Sequence, residues 1–222
     1  AWLRETPGRT VAAIHLALVH GDITNSPAAL ALANAWLGGG SVVASRMGTG
    51  GTGGGGHPAE GHSVVVTDFR LQPDGFERLL VIAPEATTDT RVGRISQRLL
   101  ELETYRMMAL RGLPVAKALA PMLAEAEAAL ADITAQLEAK QVSEQQLLDT
   151  LIGLAARVER ANAQHMYRFS ATQAYQALVA QRLTELREKA IPGTQTLGEF
   201  MQRRLSPAMA TVAATAQRLA AL

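Results

Sequence analysis

The chain has 222 residues, enough for one large domain or two small ones. Hydrophobic residues make up 48% but aromatic ones only 4%, so Ala, Leu and Val must build the core, a composition suited to closely packed helices. Twenty-one basic against twenty acidic residues leave a formal charge of +1, which gives no broad footprint for nucleic acid or acidic lipid, and the absence of cysteine excludes disulfides and thiolate chemistry.

The first 85 residues alternate strand and helix signals. Thr10 to His20 (TVAAIHLALVH) is an apolar, β-rich run of strand length. A short helix follows over Ser26 to Leu37, opened by an N-cap residue and Pro27 and closed before Gly38, Gly39 and Gly40. Ser41 to Met47, Ser63 to Leu71 and Phe76 to Pro84 are the next strands. Gln72-Pro73-Asp74-Gly75 makes the turn between the last two.

Between two of these strands stands Gly48 to His57, GTGGTGGGGH, a literal G-x-G-x-x-G. A dinucleotide fingerprint must run straight into a helix whose N-terminus faces the pyrophosphate. Here the glycines lead into the strand at Ser63, although Asp68 lies 20 residues beyond Gly48. No Lys-Ser or Lys-Thr follows, so it is not a P-loop either. The stretch is a connection between strands. His15 and His20 sit five apart on a strand and point to opposite faces; His57 and His62 have only Glu60 near them, so a polar loop is expected and no metal site.

From about Thr88 the period becomes helical. One run extends to about Lys140, with weak points at Gly112-Leu113-Pro114 and Pro121. A second opens at Ser143 and continues to about Ala190, ended by Ile191-Pro192-Gly193. Thr196 with Glu199 is a capping box for a third helix running to the last residue. The expected fold is α+β: a small, mainly antiparallel sheet with one short helix over residues 1–85. A long antiparallel helical hairpin and a third helix then occupy 86–222.

Polar residues interrupt the apolar faces of the long helices. Ile95, Leu99, Leu102, Met107 and Leu110 share one broad face of the first. Glu103 and Arg106 fall inside that arc, three apart and able to pair. The opposite face gathers Arg94, Arg98, Glu101 and Tyr105. In the second helix Leu151, Val158, His165, Thr172, Val179 and Leu186 recur every seven residues beside Leu147, Leu154 and Ala161, a coiled-coil seam broken by His165, Thr172, Arg168 and Tyr175. With a hairpin turn near residue 142, facing residue numbers sum to about 284. Glu103 and Arg106 then face Leu178 to Arg182, and His165 lies about 20 Å away along the axis, too far for a single site. No H-E-x-x-H, G-x-S-x-G or carboxylate pair with a base is present, so no catalytic residue and no cofactor is assigned.

Three blocks, TDFR (Thr67 to Arg70), DGF.R (Asp74 to Arg78) and GR.SQRLLELETYRMMAL (Gly93 to Leu110), together with LPVAKALAP after them, resemble domain-of-unknown-function family 3422. The resemblance covers most of the chain and is most specific at ETYRM. It implies a bacterial protein held in the membrane by a C-terminal hydrophobic segment, and marks the glycine stretch as an expansion peculiar to this chain. The chain itself has no uninterrupted apolar window of about 18 residues and no signal-peptide layout. It starts without Met and ends mid-pattern, and a fragment of a longer protein is therefore expected. The implied layout resembles that of CorA-type magnesium channels, an analogy at the level of fold.

The expected function is that of an assembly or regulatory module in the cytoplasmic region of a membrane-anchored protein at the inner membrane. It would not be an enzyme, would self-associate through its long helices and would bind no nucleic acid. One alternative is the cytoplasmic domain of a CorA-like ion transporter, with Asp68, Asp74, Glu101 and Glu103 as contacts for hydrated magnesium. Another is a cryptic nucleotide-binding protein or enzyme. The polar cluster to be located is Asp68, Arg70, Asp74, Arg94, Arg98, Glu101, Glu103, Tyr105, Arg106 and His165.

Overall fold

A computed structural model describes residues 7–48, 63–139 and 142–222. Two compact units form, Ala1–Met107 with Ala177–Leu205, and Met108–Gln176 with Ser206–Leu222.

The first unit is built on one sheet. Its strands are β1 (Ile14–His20), β2 (Val43–Met47), β3 (Ser63–Thr67), β4 (Glu77–Ala83) and β5 (Lys189–Ala190), in the order β1-β4-β3-β2-β5. β1 runs parallel to β4, with Ile14 opposite Glu77, and the other pairings are antiparallel. The sheet is thus mainly antiparallel, as the sequence led us to expect. Val64, Val65, Val66, Leu80, Val81 and Ile82 are all at most 3% exposed. Successive strand residues point to opposite faces, so both faces must be covered. Helix α1 (Ser26–Leu37) covers one, setting Ala29, Ala33 and Leu37 among Val64, Val66, Leu80 and Ile82. The other face carries Glu77, Leu79 and Val81. It is met by α2 (Asp89–Leu110), whose Ile95, Leu99 and Leu102 are fully buried.

β2 ends at Met47 and pairs through Ser63 with β3, so the glycine stretch leads from strand to strand. Residues 49–62, with His57, Glu60 and His62, lie outside the described residues. Two local details differ from expectation. The N-cap of α1 is Asn25, whose side chain accepts from the Ala28 amide, while the Ser26 hydroxyl accepts from Arg46 at 3.0 Å. The second long helix also stops early, at Leu186. Arg187 takes a left-handed φ of 46°, and Lys189–Ala190 then pairs with the free edge of β2. A sheet edge with unpaired backbone groups competes effectively for those two residues.

The second unit is helical. It holds α3 (Gly112–Ala139), the part of α4 (Glu144–Leu186) up to Gln176, and α6 (Ser206–Ala221). Ala116, Leu119, Leu123 and Ala126 of α3 pack with Leu154, Val158, Ala161 and Phe169 of α4 and with Val212 and Leu219 of α6. Glu125 meets Arg157 at 3.2 Å, within a residue or two of the expected hairpin register. The break expected at Gly112 is real, whereas α3 runs on through Pro121. By length and composition Asp89–Ala139 holds an 18-residue window of mean hydropathy 1.2, 28% of it buried. That stretch is interrupted between α2 and α3 and gives four residues to this core. The expected third helix is divided into α5 (Leu197–Arg204), in the first unit, and α6, because Pro207 opens a new first turn where a missing N–H costs nothing.

Candidate functional site

The turn from β3 to β4 is fixed by its own polar side chains. The Thr67 hydroxyl donates to the Arg78 carbonyl at 2.8 Å and accepts from the Phe69 amide at 3.1 Å. One oxygen of Asp68 accepts from the Arg70 amide and the other from Gln72 Nε2, both at 3.0 Å. Asp74 accepts from the Phe76 amide at 3.0 Å and pairs with Arg78 at 3.3 Å. The Phe76 amide, then Arg78 and His15, hold its carboxyl below the usual carboxylate range. Arg70 is exposed. This network holds Phe69 at φ 50°, a left-handed conformation that side chains rarely adopt. Its ring stacks on Phe200 of α5 with centroids 4.3 Å apart, and the Arg106 guanidinium lies 5.1 Å from its centre.

Arg106 is also the centre of a buried ion cluster. Its Nε donates to Glu103 at 2.7 Å, and one Nη reaches both Glu103 and Glu77 Oε1, the latter at 3.0 Å. Glu103 is 1% exposed, Glu77 8% and Arg106 9%. Two carboxylates against one guanidinium would leave a net negative charge away from water, which is costly. Burial, reinforced by the adjacent Glu103 carboxylate and opposed by Arg106, pushes the Glu77 carboxyl up to about 8. Glu77 therefore holds a proton at neutral pH, and the cluster is close to electrically neutral. Burial works against the Arg106 charge, but Glu103 and Glu77 outweigh it and hold its proton more firmly.

A second network lies on the outer side of α2. Arg98 Nε pairs with Glu185 at 3.0 Å, and Arg182 engages Glu101 through Nε and Glu185 through Nη1 at 3.1 Å. The Tyr105 ring centre lies 5.9 Å from the Arg182 guanidinium. Gln181, Arg182 and Arg98 together hold the Glu185 carboxyl below its ordinary range. These side chains are 17–29% exposed, so water and salt screen each pair and the network contributes little to stability. Arg98 with Glu185 and Glu101 with Arg182 both fall on the hairpin register expected from the sequence.

The model of one family, Protein of unknown function (DUF3422), matches residues 1–222. The chain belongs to DUF3422. No curated protein and no solved structure matches it. The three blocks by which the chain resembles DUF3422 meet in space. TDFR supplies Phe69, DGF.R encloses Glu77, and the long block supplies Glu103 and Arg106.

The ten residues singled out from the sequence therefore divide into four places. Glu103 and Arg106 pair as expected, Asp68, Arg70 and Asp74 belong to the turn, and Arg94, Arg98, Glu101 and Tyr105 lie on the outer face of α2. His165 belongs to the other unit, half-buried with its ring 6.5 Å from that of Phe169. Asp68 and Asp74 serve the turn, Glu101 the outer network and Glu103 the buried cluster, and among the described residues no three His, Asp or Glu side chains converge as metal ligands would. Sequence reasoning missed Glu77, Arg182, Glu185 and Phe200. Glu77 carried a signal, because it starts the same strand face as the apolar Leu79 and Val81.

Proposed function

We propose that this DUF3422 chain is an assembly or regulatory module and not an enzyme, working as the cytoplasmic region of a membrane-anchored protein at the inner membrane. Its long helices bring copies together. One observation carries the assembly reading: Leu148, Leu151 and Ile152 of α4 are 49%, 41% and 58% exposed, and Leu137 of α3 is 60% exposed. All four lie within about three helical turns of the connection between α3 and α4. Apolar surface removed from water contributes about 25 cal/mol per Å², so grouped exposed leucines favour a covering partner, and a symmetric second copy is the commonest one.

The membrane reading is supported by the resemblance described above. The non-enzymatic reading is supported by the way the charged residues are used: the buried cluster and the turn acids are committed to one another and to backbone groups. Light scattering on the wild type and on a Leu148→Ser, Ile152→Ser double variant tests assembly. The expected result is a wild-type oligomer and a folded, monomeric variant. Equal masses for the two proteins would remove this surface from the account.

A further inference from the structure

The outer network of the first unit borders a cleft of about 190 Å³ lined by Arg94, Gln97, Arg98, Glu101, Arg182 and Glu185. Three guanidinium groups there stand against two carboxylates, a surplus of one positive charge. The carboxylates are fully engaged. Glu101 accepts from Gln97 with one oxygen and from Arg182 with the other. Glu185 accepts from Gln181 and Arg182 with one oxygen and from Arg98 with the other. The glutamates therefore act as orienting groups that grip each arginine by one edge.

What remains open is a set of donors. Arg98 is held through Nε only, and Arg182 through Nε and Nη1. The terminal nitrogens of Arg98 and Nη2 of Arg182 have no partner among the described residues. Arg94 stands on the rim, exposed, with no hydrogen bond or ion pair among those residues. Guanidinium forks fixed before a ligand arrives lose little freedom on binding, and their geometry suits oxyanions. A carboxylate offers two oxygens and one charge. A phosphate offers more acceptors and up to two charges, which fits three guanidinium groups with a net positive balance.

We propose that this cleft binds a phosphate group, with Arg94 closing over it and Arg98 and Arg182 presenting their free N–H groups. The phosphate belongs either to a small soluble molecule or to a lipid headgroup. The site lies in a different unit from the apolar residues invoked for assembly, so the two readings fail independently.

Calorimetric titration of the full chain with inorganic phosphate at low ionic strength is the test, with Arg94→Ala as the variant. Arg94 has no described partner, so the variant should keep the wild-type melting temperature. Saturable wild-type binding, weakened about tenfold or more by the loss of one charge-assisted contact, supports the site. Co-sedimentation with phosphatidylglycerol vesicles, against phosphatidylcholine vesicles, separates the sources. Arg94-dependent binding to the anionic vesicles that phosphate competes away assigns a headgroup, and phosphate binding without vesicle binding assigns a soluble ligand. The proposal is overturned if the wild type binds neither, or if Arg94→Ala binds as well as the wild type.

Discussion

Glu77, Glu103 and Arg106 place two carboxylates around one guanidinium under less than a tenth of normal exposure. Folding raises the Glu77 carboxyl from 4.5 to about 8, so the folded chain keeps a proton that the unfolded chain gives up. The stability this contributes is complete below about pH 4.5 and is lost as pH rises through about 8. One pH unit of difference is worth about 1.4 kcal/mol, so the loss reaches a few kcal/mol. Glu77→Gln mimics the protonated form. In thermal melts at pH 4 it should match the wild type, from there up to pH 8 it should become progressively the more stable of the two, and at pH 9 the full difference should show; the same fall with pH in both proteins would place the proton elsewhere. Arg106→Met strands two acids and should cost about 3–5 kcal/mol in urea unfolding, while Arg106→Met with Glu103→Leu should cost clearly less. Additive costs would show that the pair is uncoupled. The sequence revealed Glu103 with Arg106, because three-residue spacing on one helix face is a local fact. Glu77 comes from a strand, and only the packing of α2 on β4 joins it to them.

At the scale of elements, close approach explains what hydrophobic patterning alone does not. A Cβ placed on Gly112 would lie 2.3 Å from the Thr172 hydroxyl and 3.2 Å from its two carbons, so α3 begins where only glycine fits against α4. Thr172, which breaks the apolar seam of α4, satisfies its hydroxyl on the Arg168 carbonyl at 3.0 Å. Gly112→Ala should therefore destabilise by about 1–3 kcal/mol, the usual cost of overpacking, and Thr172→Ala in the same chain should recover part of it. A neutral Gly112→Ala in denaturant melts would contradict the contact. The start of α5 follows the same logic. Its capping box was legible as Thr196 and Glu199, and the amides of both residues are bonded as that motif requires. The second support was not legible: the Glu188 carboxylate accepts from Ser45 and from the Leu197 and Gly198 amides, and a Cβ on Gly198 would clash with it. Glu188 and Ser45 are 143 residues apart in sequence, beyond any local signal.

For the molecule as a whole, length and periodicity carried the class. Paired strands before Thr88 and rods after it are both present, and the hairpin register holds at Arg98 with Glu185, at Glu101 with Arg182 and at Glu125 with Arg157. What periodicity leaves open is which apolar residues stay uncovered. The seven-residue spacing includes Leu151 with Val158, yet Leu151 is 41% exposed and Val158 is 7%, because α3 and α6 cover only part of the circumference of α4. That uncovered arc is the surface on which the proposed assembly rests. Sedimentation equilibrium of the wild-type chain over a hundredfold range of concentration tests it most directly. The expected result is a mass rising to at least twice the 23.6 kDa of one chain. A single-chain mass at every concentration would contradict it.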